Sequence, residues 1–259
     1  MRFLLLFLLI ASLSLSTKSQ KLHMFRTIYS PSTPYGGKDE LKEFVAQEVV
    51  YPPKAKEQEI EGDAFITYKI DAKGKVIYKE VVEKGDPLLK KEAARIFDKI
   101  LWEADPQRFE KDLGFEKLKF SFDLKKYKKV VKKRGYDQLP FGDYEIDSSS
   151  SIYTINQVDE QPEITNASSV NGYVSQNFNY PSIALQRGIS GRVTVEFVIE
   201  PYGLVSNLRV IEPVAGGCND ETERLIKAMK WKPGFKDNKA VRTLYKYQLN
   251  FVHPGGSMR

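Results

Sequence analysis

Apolar residues fall at every second position in two stretches of the chain, Ala64, Ile66, Tyr68 and Ile70, then Val193, Val195, Phe197 and Ile199. A period of two puts one set of side chains on one face of an extended backbone, so half-buried strands are expected over about 62–71 and 191–200. Each stretch runs straight into a turn that ends in glycine, Asp71-Ala72-Lys73-Gly74 and Glu200-Pro201-Tyr202-Gly203. Such turns return the chain as an antiparallel strand. On the returning strands the apolar pairs Val76 with Val81 and Val205 with Val210 would face opposite sides of a regular strand. A bulge or burial on both faces is therefore expected.

The period then lengthens. Leu89, Ala93, Ile96, Phe97 and Ile100 recur at helical spacing behind Asp86 as N-cap and Pro87 in the first turn, and Cys218, Thr222, Leu225, Ile226 and Met229 repeat the pattern. Each helix ends at a tryptophan, Trp102 or Trp231, and an apolar third strand follows, Phe115 to Phe122 and Val241 to Phe251. Short helices are expected upstream, around Leu41 to Glu48 and Val170 to Asn177. The order in each half is αββαβ, an α+β arrangement with two helices on one face of a small antiparallel sheet.

The two halves are copies. At one constant spacing Tyr51-Pro52 meets Tyr180-Pro181, Gly62 meets Gly191, Gly74 meets Gly203, Glu92 meets Glu221, Arg95 meets Arg224, Trp102 meets Trp231 and Phe122 meets Phe251. The repeat is far longer than the ~20 to 50 residues of a solenoid, so each copy is expected to have its own core, like two beads on a string. The copies are assigned to 34–123 and 152–252, with a linker at 124–151 and a tail at 253–259.

Composition adds three points. Arg2, the apolar run Phe3 to Ala11 and the serines that dilute it at Ser12, Ser14 and Ser16 read as a secretory signal peptide over 1–19. The run is shorter than the roughly 20 apolar residues of a membrane span, so an exported, periplasmic protein is expected, with a retained anchor as the alternative. The single cysteine, Cys218, cannot form an intramolecular disulfide and aligns with Leu89, which makes it a buried small hydrophobe. The net charge of +6 is concentrated at Lys125, Lys126, Lys128, Lys129, Lys132, Lys133 and Arg134. That run is a solvated helix end or linker, or else a contact for peptidoglycan, lipopolysaccharide or anionic lipid.

The motifs of catalysis are missing from the sequence. It has no Gly-x-Ser-x-Gly, His-Glu-x-x-His or phosphate-binding loop, and its histidines, His23 and His253, have no repeat partners. No enzyme activity, cofactor, metal or nucleic-acid partner is expected.

The stretch Tyr180-Pro181, Ala184, Gly188-Ile189, Gly191, Gly203, Met229 and Trp231-Lys232-Pro233-Gly234, with the lead-in Val158 to Glu163, resembles the C-terminal domain of TonB. The first copy departs from the pattern at Glu103-Ala104-Asp105, after its tryptophan. The resemblance implies a periplasmic domain that grips an extended segment of an outer-membrane transporter along an exposed sheet edge. That edge would be the last strand, Val241, Arg242, Thr243, Leu244, Tyr245, Lys246 and Tyr247 onward, with Asn179 beside the bound segment. The first copy carries Val50 in place of Asn179. A structural envelope role and membrane-anchored energy transduction are the competing readings.

Overall fold

The computed structural model describes residues 32–106 and 114–255. The expected signal peptide lies outside the described residues, as does the end of the tail.

The first copy begins with α1 (Gly37–Glu48) and a single turn, α2 (Pro53–Glu57). There follow β1 (Gly62–Ile70), β2 (Val76–Val81), α3 (Pro87–Phe97) and β3 (Glu116–Phe122). The strands form an antiparallel sheet in the order β2-β1-β3. The turn α2 is an element that the sequence pattern did not show; Pro53 at its first position suits a fixed φ. In α3 the Asp86 carboxylate accepts from Leu88 N at 2.8 Å, while Leu89, Ala93, Ile96 and Phe97 turn inward. They meet Ala64, Ile66, Tyr68 and Ile70 of β1 together with Phe44 of α1 in one core, so the helices cover a single face of the sheet.

The basic stretch after β3, read as a solvated helix end or linker, is a helix, α4 (Leu124–Arg134), and one that packs on the first copy. Tyr127 is the reason: it is buried, and its ring lies 5.3 Å from that of Tyr51, with Leu124 and Val131 packed on the same core. Arg134 fastens the far end by donating to the carbonyls of Ala46 and Gln47 at 2.8 and 3.0 Å.

The second copy contains β4 (Ile152–Thr154), β5 (Glu163–Ile164), α5 (Val170–Asn177), α6 (Ser182–Gln186), β6 (Gly191–Ile199) and β7 (Val205–Glu212). It ends with α7 (Cys218–Ala228), β8 (Trp231–Lys232), β9 (Gly234–Lys236) and β10 (Lys239–Phe251). The main sheet runs β4-β10-β6-β7, with β9 also on β10 and β5 paired with β8. Cys218 is fully buried in the core of this copy.

Small devices recur in both copies. Gly74 and Gly203 have positive φ, and a Cβ on either would stand 2.2 Å from the carbonyl oxygen of Trp102 or Trp231, so only glycine fits. Tyr51 and Tyr180 each donate a hydroxyl at 2.5 Å to Ile60 and Ile189. Glu92 and Glu221 each accept the backbone N–H of Val50 or Asn179 at 2.7 Å and hold Arg95 or Arg224.

Bulges resolve the spacing of the valines. In the first copy the register slips opposite Lys69 and Ile70. In the second it slips twice, and the slip between Glu196 and Val198 falls where Asn207 adopts a left-handed backbone, φ 49°. The extra residue turns the Asn207 side chain away from its own sheet and into the other copy. There it accepts from Leu101 N at 2.8 Å and donates to the Lys99 carbonyl at 3.2 Å.

That contact corrects the picture of two beads on a string. The copies belong to one compact unit and share a buried polar cluster. Glu48 of the first copy accepts from Arg95, from Lys99 at 2.6 Å and from the Tyr202 hydroxyl of the second. Glu200 pairs with Arg242 at 2.9 Å and accepts from Ser206 at 2.6 Å, and Arg242 also donates to the Lys99 carbonyl at 2.8 Å. Around this centre Arg209 joins Glu196 to Glu103 and lies 3.7 Å over the Tyr35 ring, while Lys227 reaches Glu40 and Glu43. Buried charges survive only when paired and hydrogen-bonded, and the partners that join the two copies come from segments remote in sequence.

Candidate protein-binding site

The residues expected at the partner edge divide into two groups. Val241, Arg242 and Thr243 are buried, and the outer side of β10 is covered there by the chain itself. β4 pairs in parallel with Arg242, Thr243 and Leu244, and the segment before it exchanges backbone hydrogen bonds with Ala240 through Glu145 and Asp147, while β9 pairs with Lys239, Ala240 and Val241 from the opposite side. Arg242 therefore serves the interface between copies and is withdrawn as a contact residue, with Val241 and Thr243. The physical reason is that a residue segment read as a linker, 124–151, runs into β4 and the bridge of Ile146 to Ala240.

From Tyr245 to Phe251, β10 pairs with β6 on its inner side only, among the described residues. Tyr245 is half-buried, its ring 5.5 Å from Phe197 and 5.3 Å from Trp231, and burial raises its pKa. Lys246 is exposed. The Tyr247 hydroxyl donates at 3.2 Å to Asn171 of α5. Asn179 is exposed, and Tyr180 next to it packs its ring 5.9 Å from Phe251, which sets Asn179 at the end of this free stretch. Its backbone role is shared by Val50, so only its side chain distinguishes the second copy.

On α4, Lys125, Lys126, Lys128, Lys129, Lys132 and Lys133 are exposed, whereas Arg134 is half-buried and engaged with α1. Lys125, Lys128, Lys129 and Lys132 share one side of the helix and border a shallow cleft of about 600 Å³ with Glu59 and Glu61.

A site that the sequence did not reveal lies in the first copy. The outer edge of β3 carries no strand among the described residues. It borders an apolar groove of about 750 Å³ whose other walls are α1, with Leu41 and Val45 and with Val49 just beyond its end, and α4, with Tyr127 and Val130. Only α4 could have announced it, and its basic composition hid the apolar stripe of Leu124, Tyr127 and Val131.

The family model for the Gram-negative bacterial TonB protein C-terminal matches residues 47–124 and again residues 176–253. The chain belongs to this family and carries its domain twice. The family is a protein-interaction domain of the Gram-negative envelope, not an enzyme family. No curated protein matches the chain. No helix among the described residues is long and apolar enough to cross a membrane.

Proposed function

We propose that this protein is a non-enzymatic binding module of the periplasm that takes an extended segment of an envelope or outer-membrane transport partner by strand addition. The observation that carries this reading is the last strand of each copy: β3, and β10 from Tyr245 onward, present a row of backbone N–H and C=O groups with no strand beside it among the described residues. Such an edge pairs with an incoming chain through its backbone, while side chains at alternate positions set preference. In the second copy the contact residues are Tyr245, Lys246 and Tyr247, with Asn179 at the far end; Leu244 is already paired with Thr154 of β4.

A contact with peptidoglycan or anionic lipid through α4 is the second reading, favoured by its six exposed lysines. The two are separated by crosslinking in living cells from single cysteines placed along β3, β10 and α4 in a Cys218→Ala background. Capture of an outer-membrane protein with alternating efficiency along a strand supports strand addition. Capture from α4 alone supports the envelope contact and removes the first reading.

A further inference from the structure

We propose that the copy that accepts the extended segment is the first, and that the segment carries apolar side chains at alternate positions and acidic residues between them. This rests on the strand-addition reading and says where it happens and with what chemistry.

The second copy has covered the first part of its own edge. β4 already lies along β10 as an added strand at Arg242 to Leu244, and the segment around Ile146 covers Ala240 before it. Over the remainder, Tyr247 spans from β10 to α5 and is tied to Asn171, across the path an incoming strand would follow. The repeat places Leu118 where the second copy has Tyr247, and Lys42 where it has Asn171. Neither makes such a tie, and the space stays open as the groove between α1 and β3. Its length follows from β3, seven residues, or roughly 24 Å at about 3.4 Å per residue. A strand of about seven residues fits along it.

The walls choose the occupant. Side chains turned toward α1 would meet Leu41, Val45 and Val49, and at one end Tyr127. Lys38 and Lys42 from α1, Lys117 and Lys119 from β3, and Lys126 from α4 stand around the same groove against two acids, Glu116 and Asp123. Both acids are engaged, Glu116 by Ser32 and Asp123 as the cap that accepts Lys126 N. The lysine pairs with Asp39 and Asp63 are exposed, and exposed pairs exchange partners at little cost. An acidic segment is thus attracted to the rim while its apolar side chains enter the groove. A fatty-acid amphiphile would share the apolar and anionic chemistry but would leave the β3 edge unpaired, which favours a peptide.

The test measures fluorescence anisotropy of the purified full chain with two labelled octapeptides, alternating Glu-Val and alternating Lys-Val, at low and high salt. The Glu-Val peptide is expected to bind at least tenfold more tightly than the Lys-Val peptide, and to weaken with salt. Leu118→Tyr with Lys42→Asn, which installs the side chains of the second copy, is expected to lower that affinity tenfold or more. Because this pair could disturb packing, Lys42→Glu with Lys117→Glu on the exposed rim gives an independent arm and should weaken the acidic peptide while leaving the melting temperature within a few degrees. Equal binding of both peptides overturns the charge assignment. Loss of binding from Tyr247→Ala, with the Leu118→Tyr, Lys42→Asn chain still binding, moves the site to the second copy and overturns the inference while keeping strand addition. Binding of a labelled fatty acid with neither peptide bound overturns both.

Discussion

Arg242 and Glu200 form an ion pair at 2.9 Å with their side chains 1% and 0% exposed. Arg242 is named by its place on a strand edge, yet it points into the seam between two copies of one domain and donates to the Lys99 carbonyl of the other. The pair joins the fold of the second copy to the position of the first.

Removing Arg242 leaves Glu200 charged in the interior with only Lys99, 3.7 Å away, and the Ser206 hydroxyl beside it. Arg242→Met is expected to destabilise the protein by about 3–5 kcal/mol, read as a lower midpoint in urea denaturation. Arg242→Met with Glu200→Leu should recover much of that loss, because no lone charge remains. Equal midpoints for the single and double variants would refute the account.

The bulge at Asn207 makes a narrower prediction. Asn207→Gly keeps the left-handed backbone accessible but removes the bonds to Leu101 N and the Lys99 carbonyl. A loss of about 1–3 kcal/mol is expected, together with faster hydrogen exchange at the Leu101 amide. Unchanged protection there would show that the bond does not hold the copies together.

Two groups in the seam give opposite pH dependences. Burial works to raise the pKa of Glu200, but Arg242 and Lys99 outweigh it and hold the carboxyl below the usual glutamate range. Its stabilising effect is present above the unfolded value of about 4.3 and is lost as pH falls through the lower folded value. Burial, reinforced by Glu48 and Glu200, pushes the Tyr202 hydroxyl well above its usual value. That contribution is full below about pH 10 and declines as pH rises beyond it. Melting temperature should therefore fall on both sides of a plateau, and Tyr202→Phe should flatten the alkaline limb while lowering the plateau. An unaltered alkaline limb in that variant would sink the assignment.

Trp102 and Trp231 are both buried, and neither indole N–H has a hydrogen-bond partner among the described residues. Replacement by phenylalanine removes an unsatisfied donor and keeps most of the packing. It is expected to cost less than about 2 kcal/mol, against about 3–5 kcal/mol for alanine. A phenylalanine variant as unstable as the alanine one would mean that the indole nitrogen is satisfied after all.

Within each copy, local periodicity carries most of the information. The alternation at Ala64 to Ile70 and Val193 to Ile199, the glycines at 74 and 203, and the Asp86 cap sit in short-range geometry, where each residue's surroundings are set by neighbours two to four positions away. These elements, the duplicated family fold and the burial of Cys218 were determined by the sequence itself. The tertiary structure decided what depended on distant partners. A strand edge is free or covered according to where a remote segment lands, so β4 on β10 could not be read from β10, nor could the withdrawal of Val241, Arg242 and Thr243 into the interior. The basic run from Lys125 to Arg134 read as solvated because its charge outweighs its apolar stripe, and only contact of Tyr127 with Tyr51 made it a packed helix and a wall of the groove. The seam follows the same rule. Glu48, Lys99, Glu200, Tyr202 and Arg242 look like surface residues along the chain, and they become an interior only when two folded copies bring opposite charges together.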